Sequence, residues 1–146
     1  MANTDTFYTL KGYQRNENAA MTTAMEDYLE MICRILEEKE DVRVQDLSRM
    51  LHVKPSSVTK MVQQLNQLGY LHAERYGHIT LTEQGKRAGD YLLYRHDVIH
   101  GFLCALNHSQ NELEQVEKIE HFLERTTVEN MEKLTRYLEN EAGNFG

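Results

Sequence analysis

Between Pro55, the only proline in the chain, and Gly69 lies a segment whose local chemistry admits few structures. Proline belongs in the first turn of a helix, where its missing N–H costs nothing, and glycine past the last turn is a common helix stop. The spacing predicts a helix over 55–68 with Val58, Met61, Val62 and Leu65 on its buried stripe. A shorter helix is expected over 44–51, with Leu47, Met50 and Leu51 inward, and the break His52-Val53-Lys54 separates the two. Upstream, Thr23-x-x-Glu26 has the form of a capping box, opening a helix to about position 38 that carries Met25, Tyr28, Leu29, Ile32, Ile35 and Leu36 at helical spacing. Downstream, 70–74 and 78–81 read as two strands joined by a turn at Arg75-Tyr76-Gly77. Helix, short turn, helix, hairpin is the order of a winged helix-turn-helix head.

After the hairpin, Thr82 is placed to cap a long helix to about position 106. Two further capping boxes, Ser109-x-x-Glu112 and Thr126-x-x-Glu129, are expected to start the last two helices. The expected fold class is therefore mainly α, with a head of three helices plus a β-hairpin wing and a C-terminal helical dimerisation domain. Its expected parts are a flexible N-terminal arm at 1–20, a DNA-binding domain at 21–82 and a helical metal-binding and dimerisation domain at 83–146.

The formal net charge is -7 over 146 residues, an unusual balance for a nucleic-acid binder, so its distribution matters. Residues 43–80 hold five Lys/Arg against two Asp/Glu, a local +3. From Ser109 onward nine glutamates face four Lys/Arg, a local -5. A cationic block in an anionic chain still meets phosphate, because the local potential governs contact. With the core-facing residues of 55–68 removed, Ser56, Ser57, Thr59, Lys60 and Gln63 point outward, next to Lys54 and Pro55. Small hydroxyls allow close approach to a duplex, Lys60 suits phosphate or guanine, and Gln63 suits adenine. The wing offers Arg75, Tyr76 and His78 for the DNA backbone or the minor groove.

Two cysteines, Cys33 and Cys104, make neither a disulfide framework nor a thiolate zinc site. Cys33 reads as a small buried apolar residue and Cys104 as core; His100 and His108 read as surface histidines. The polar N-terminus lacks the apolar stretch of a signal peptide, and no apolar run reaches the ~18 residues of a membrane span, so a cytoplasmic protein without membrane partners or organic cofactor is expected.

Three acidic or imidazole fragments stand out. Glu117, Glu120 and His121 fall at i, i+3 and i+4; Asp27 and Glu30 at i and i+3; and His96 lies mid-way along the long helix. Each fragment alone reads as a solvated helix face or a structural histidine before it reads as a metal ligand.

Four blocks join them. Residues 21–30 (MTTAMEDYLE), 53–62 (VKPSSVTKMV), 94–96 (YRH) and 116–121 (VEKIEH) resemble, in order and nearly in spacing, the manganese transport regulators of the diphtheria toxin repressor family. The resemblance covers about residues 21–140. It implies a homodimeric repressor of manganese-uptake genes that binds double-stranded operator DNA when loaded with metal. It also implies the ligand set Asp27, Glu30, His96, Glu117, Glu120 and His121, holding two manganese(II) ions per subunit, with cadmium, cobalt, iron or zinc as substitutes in vitro. Iron-sensing members carry methionine where Asp27 stands and cysteine where Glu117 stands, and many append a small SH3-like domain, which is not expected in a chain of this length. Manganese(II) is a hard cation low in the affinity order, so ligand type and geometry must select it. Four carboxylates and two neutral imidazoles balance two divalent ions.

Two rivals share parts of this pattern. A carboxylate-bridged dimetal enzyme in a helical bundle would use Glu-x-x-His pairs, but Leu93 and Lys118 occupy the positions three before His96 and His121. A MarR-type sensor of small organic ligands shares the winged head and has no need of the acidic cluster.

Overall fold

The computed structural model describes residues 21–74 and 77–145. Its order is α1 (Thr23–Glu38), α2 (Val44–Leu51), α3 (Pro55–Gln67), β1 (Leu71–Ala73), β2 (Ile79–Leu81), α4 (Glu83–Asn107), α5 (Leu113–Ile119), a 3-10 turn (Glu120–Phe122) and α6 (Arg125–Phe145). The mainly helical class with a two-stranded wing is as expected, and so is the order of the head. The arm expected at 1–20, and Arg75 and Tyr76 at the wing tip, lie outside the described residues.

The expected helix starts are corrected in three places. Thr22, not Thr23, caps α1, its Oγ1 accepting the Met25 N–H at 3.2 Å. Glu26 is then free of any capping role, and its side chain turns to Arg95 and His121 instead. The Ser109 hydroxyl donates to the Glu112 carboxylate at 2.7 Å, but that pair closes a loop; α5 begins after it, at Leu113. The last helix begins at Arg125, ahead of the expected Thr126 cap, with the Val128 N–H donating to the Glu124 carbonyl.

Gly69 terminates α3 with φ at +87°, a left-handed conformation that glycine adopts without strain. The Tyr70 N–H reaches back to the Leu65 carbonyl, completing the C-terminal cap. The strands pair antiparallel, with Leu71 opposite Leu81 and Ala73 opposite Ile79. Val42, in the loop before α2, adds an isolated antiparallel bridge to β2 through an Ile79 N–H to Val42 carbonyl bond of 2.8 Å. Nothing in the local pattern announced that pairing.

Two apolar clusters hold the chain. The larger joins α1, α2, α3 and the hairpin through Leu29, Ile32, Leu47, Val58, Leu65 and Ile79, and takes in Leu92 from α4. The smaller joins α4, α5 and α6 through Ile99, Leu103, Val116 and Val128. Helix α4 thus enters both. Between Leu92 and Ile99, two turns of that helix place Arg95 and His96 in the gap.

The start of α4 is fastened to the end of α3. The Thr82 hydroxyl donates to the Gly69 carbonyl at 2.6 Å and accepts the Gly85 N–H at 2.9 Å, while the Thr82 N–H donates to Tyr70. Gly85 lies so close to the Tyr70 carbonyl that a β-carbon there overlaps it, and one on Gly89 overlaps the Cys33 sulfur. Cys33 is thus buried, as expected, whereas Cys104 is only partly so, with its sulfur 3.6 Å from His100 Nε2. His100 is not a free surface histidine either, since its Nε2 accepts the Glu112 N–H at 3.2 Å.

Two outcomes follow from this packing. Gly85→Ala, which pushes against backbone, lowers stability by about 1–3 kcal/mol in urea unfolding, and an unchanged midpoint would show that α4 and α3 are not so fastened. Burial pushes the Cys33 thiol up to about 12, with nearby carboxylates adding to the effect. A thiol reagent on the folded chain near pH 8 therefore labels Cys104 first, with Cys33 reacting only on unfolding; equal rates would contradict the burial.

Candidate metal centre

The gap between the two clusters is polar and buried. Glu30, Arg95, His96 and Glu120 are 8%, 4%, 8% and 1% exposed, residue types that burial penalises strongly unless they are paired. Glu30 comes from α1, Arg95 and His96 from α4, and Glu120 from the 3-10 turn.

The helical spacing expected over 117–121 does not persist. Helix α5 ends at Ile119, and a tighter 3-10 turn carries Glu120 and His121. Glu117 is therefore turned to one side of Glu120 and His121 to the other. The six expected residues accordingly gather as two overlapping groups: Glu30, His96, Glu117 and Glu120, and Asp27, Glu120 and His121, the potential donor atoms within each lying no more than 4.8 Å apart.

Glu120 belongs to both. Its Oε2 lies 3.0 Å from His96 Nδ1, and its Oε1 lies 3.7 Å from His121 Nε2. Around His96 Nδ1 also stand Glu30 Oε1 and Glu117 Oε1, both at 3.8 Å. Three carboxylates thus converge on one ring nitrogen. On the other side, His121 Nε2 lies 2.9 Å from Asp27 Oδ1.

The electrostatics are those of negative charge in excess. Burial and the neighbouring Glu120 push the Glu30 carboxyl up to about 7. Burial and Glu120 also raise Glu117. His96 is raised by its bond to Glu120, and His121 is pushed up to about 10 by its bonds to Asp27 and Glu26. The proton on His121, and below about pH 7 that on Glu30, thus offset carboxylate charge that the protein's own cations leave unmatched. Of those cations, Arg34 lies 4.0 Å from Glu30 and Arg95 is turned to Glu26.

These residues fit divalent metal. Glu30 Oε1 and Glu120 Oε1 are buried oxygens with no hydrogen-bond partner, one facing each group of donors. An orphaned buried carboxylate oxygen is costly unless a cation completes it. The donors are oxygens and imidazole nitrogens with no thiolate among them, a hard set suited to manganese or iron(II) more than to copper.

Sequence reasoning missed Glu26. It stands one turn before Glu30, on the same stripe as Asp27 and Glu30, and the capping-box reading absorbed it.

In the head, Lys54, Pro55, Ser56, Ser57, Thr59, Lys60 and Gln63 are all exposed along one side of α3. The Thr59 hydroxyl donates to the Pro55 carbonyl at 3.0 Å, leaving its lone pairs outward. His78 is half-buried at the foot of the wing, where Asp41 pairs with its Nδ1 and Arg43 lies 3.3 Å from its Nε2. That engagement ties the wing to the loop before α2.

Comparison with known proteins identifies the family. Residues 20–79 match the iron dependent repressor N-terminal DNA-binding domain. The HTH-type transcriptional regulators MntR of Bacillus velezensis and Bacillus subtilis are each 40% identical over 121 residues, covering 82% of this chain and 85% of theirs. Among solved structures, the manganese regulator SloR superposes with a TM-score of 0.67 at 26% identity, over 80% of this chain and 55% of its own, so that this chain spans about half of SloR's length. The chain belongs to the MntR group of the diphtheria toxin repressor family, whose members are transcriptional regulators and not enzymes.

Proposed function

We propose that the chain is a manganese(II)-dependent transcriptional repressor of manganese-uptake genes. In this reading Asp27, Glu30, His96, Glu117, Glu120 and His121 hold two ions per subunit, and a homodimer in the cytoplasm binds double-stranded operator DNA. The observation that carries it is Glu120, a fully buried carboxylate presenting one oxygen to each of two donor groups. Support for manganese comes from the hard donors at Asp27 and Glu117 and from the MntR relatives. Among the described residues no helix is long and apolar enough to cross a membrane.

The placement of the donors supplies the mechanism. Asp27 and Glu30 stand on α1, whose buried apolar residues Tyr28, Leu29, Ile32 and Ile35 pack into the head; His96, Glu117, Glu120 and His121 stand on the elements of the second cluster. Bound metal supplies positive charge that neutralises the carboxylates. Their mutual repulsion otherwise favours protonation or separation of α1 from the 3-10 turn. With that repulsion removed, Asp27 and Glu30 hold α1 against the C-terminal half. The dimer's two α3 helices then keep one separation, and operator half-sites have a fixed spacing. Pre-setting that separation reduces the ordering cost of DNA binding. Lys54, Lys60 and the hydroxyls of Ser56, Ser57 and Thr59 are the proposed contacts to the duplex, with Gln63 at a base edge; Arg75, Tyr76 and His78 are the proposed wing contacts. The proposed working units are 21–82 for DNA and 83–146 for metal and dimerisation, with 1–20 as an arm.

Duplexes selected from a random pool with the manganese-loaded chain provide the test. Manganese(II) is expected to raise affinity for the selected duplex and a chelator to abolish the gain. The Asp27→Ala/Glu30→Ala variant should lose it while still folding. An equal gain in that variant would contradict the joining role of α1. Asp27→Met should shift operator activation toward iron(II); an unchanged manganese-to-iron preference would remove Asp27 as the selectivity residue.

Proton linkage gives an independent outcome. Metal must displace the proton that His121 carries up to about pH 10, and below about pH 7 the proton on Glu30 as well. Affinity for manganese(II) therefore rises with pH, by about tenfold per unit for each proton released, and more steeply below pH 7 than above it. Affinity that stays flat between pH 6 and 8 would contradict the site.

A further inference from the structure

Glu26 and Arg95 adjoin the metal ligands proposed above without belonging to either donor group. Arg95 extends from α4 with its side chain only 5% exposed, and its two terminal nitrogens straddle the Glu26 carboxylate, Nη1 at 3.3 Å from Oε2 and Nη2 at 3.4 Å from Oε1. The same Oε1 lies 2.9 Å from Nδ1 of His121, on the 3-10 turn. Three elements therefore meet at one carboxylate: α1, α4 and the turn.

Both ring nitrogens of His121 face carboxylates, Nε2 towards Asp27 at 2.9 Å and Nδ1 towards Glu26, so metal taken up at Nε2 leaves the remaining ring proton on Nδ1. Its Nδ1 faces Glu26 Oε1 at 2.9 Å and Arg95 Nη2 at 3.3 Å. The guanidinium donates only, so the carboxylate is the partner that an Nδ1–H can use. With hydrogen on Nδ1, the lone pair available for a metal lies on Nε2, the atom that faces Asp27 and Glu120. A carboxylate behind a metal-bound imidazole fixes its tautomer and its orientation and raises its basicity.

We propose that Glu26, held in place by Arg95, is a positioning residue that presents His121 to metal through Nε2. Arg95 has a second consequence in charge. It cancels Glu26, so the acid next to Asp27 adds nothing to the four carboxylates that the ions must balance. Without the guanidinium, Glu26 is a fifth carboxylate free to turn into the site. The inference rests on the metal-site reading above.

The test uses the full chain titrated with cadmium(II), a diamagnetic substitute, followed by cadmium-113 resonances and by long-range proton–nitrogen correlation of the His121 ring. The variants are Glu26→Leu and Glu26→Gln, the second keeping an oxygen that accepts from Nδ1. In Glu26→Leu the site containing His121 is expected to weaken about 10–100-fold while that of Glu30, His96 and Glu117 changes little, and the ring is expected to lose its single Nδ1–H form. Glu26→Gln should restore that form and most of the affinity. Wild-type affinity at both sites and an unchanged ring in Glu26→Leu would overturn the proposal. Equal weakening of both sites in both variants, with a lowered melting temperature before metal is added, would also overturn it by revealing a general structural role. Failure of the wild-type chain to bind two cadmium ions would instead fall on the metal-site reading itself.

Discussion

The structure turns on a carboxylate in the wrong solvent. Glu120 is buried between two apolar clusters, with one oxygen bonded to His96 and the other unpartnered. A lone buried anion costs several kcal/mol after relaxation, and the nearby Glu30 and Glu117 compound the cost through like-charge repulsion. The hydrogen bond to His96 relieves part of it in the absence of metal. The fold therefore carries a seam whose charge is balanced only in part by its own residues, and this seam lies where the DNA-reading half meets the rest of the chain. A cation-dependent joint is the natural outcome of that placement.

The joint reaches the reading helix through short, stiff connections. His96 lies on α4 with Leu92 one turn before it in the head cluster and Ile99 about one turn after it in the other. At its start, α4 is bonded to the end of α3 through Thr82, Gly69 and Tyr70, with no room for a side chain at Gly85. On the opposite side α1 carries Asp27 and Glu30 toward the seam while its buried stripe packs under α2 and α3. The reading head is thus held at two places, by α1 and by α4, and both bring carboxylates or imidazoles to the seam. This is a physical route by which neutralising the seam restrains α3. By linkage, whatever DNA gains from metal, metal gains from DNA.

Much of this was legible in the residues. Pro55, Gly69 and the apolar spacing between them define α3, and the two short strand-like segments on either side of Arg75-Tyr76-Gly77 mark the wing. The local charge surplus near α3 separated a cationic surface from an acidic chain. The six metal-site positions were reached by resemblance, because each fragment alone is ordinary, and their convergence depends on contacts as distant as Asp27 with His121. Three features lay beyond local pattern for physical reasons. The 3-10 turn at Glu120–Phe122 breaks a run whose i, i+3, i+4 spacing reads as continuous helix. The Val42 bridge depends on tertiary pairing. Glu26 satisfies the form of a capping box so well that its true partners, Arg95 and His121, 69 and 95 positions further along, become visible only once the chain has been folded back.

The most direct measurement of the central claim is anomalous diffraction at the manganese edge from crystals of the manganese-loaded chain. The account predicts two peaks per subunit on either side of Glu120, one among Glu30, His96 and Glu117 and the other between Asp27 and His121. A single peak on one side of Glu120, or manganese bound elsewhere with the seam left as a network of protonated histidines and carboxyls, would contradict it.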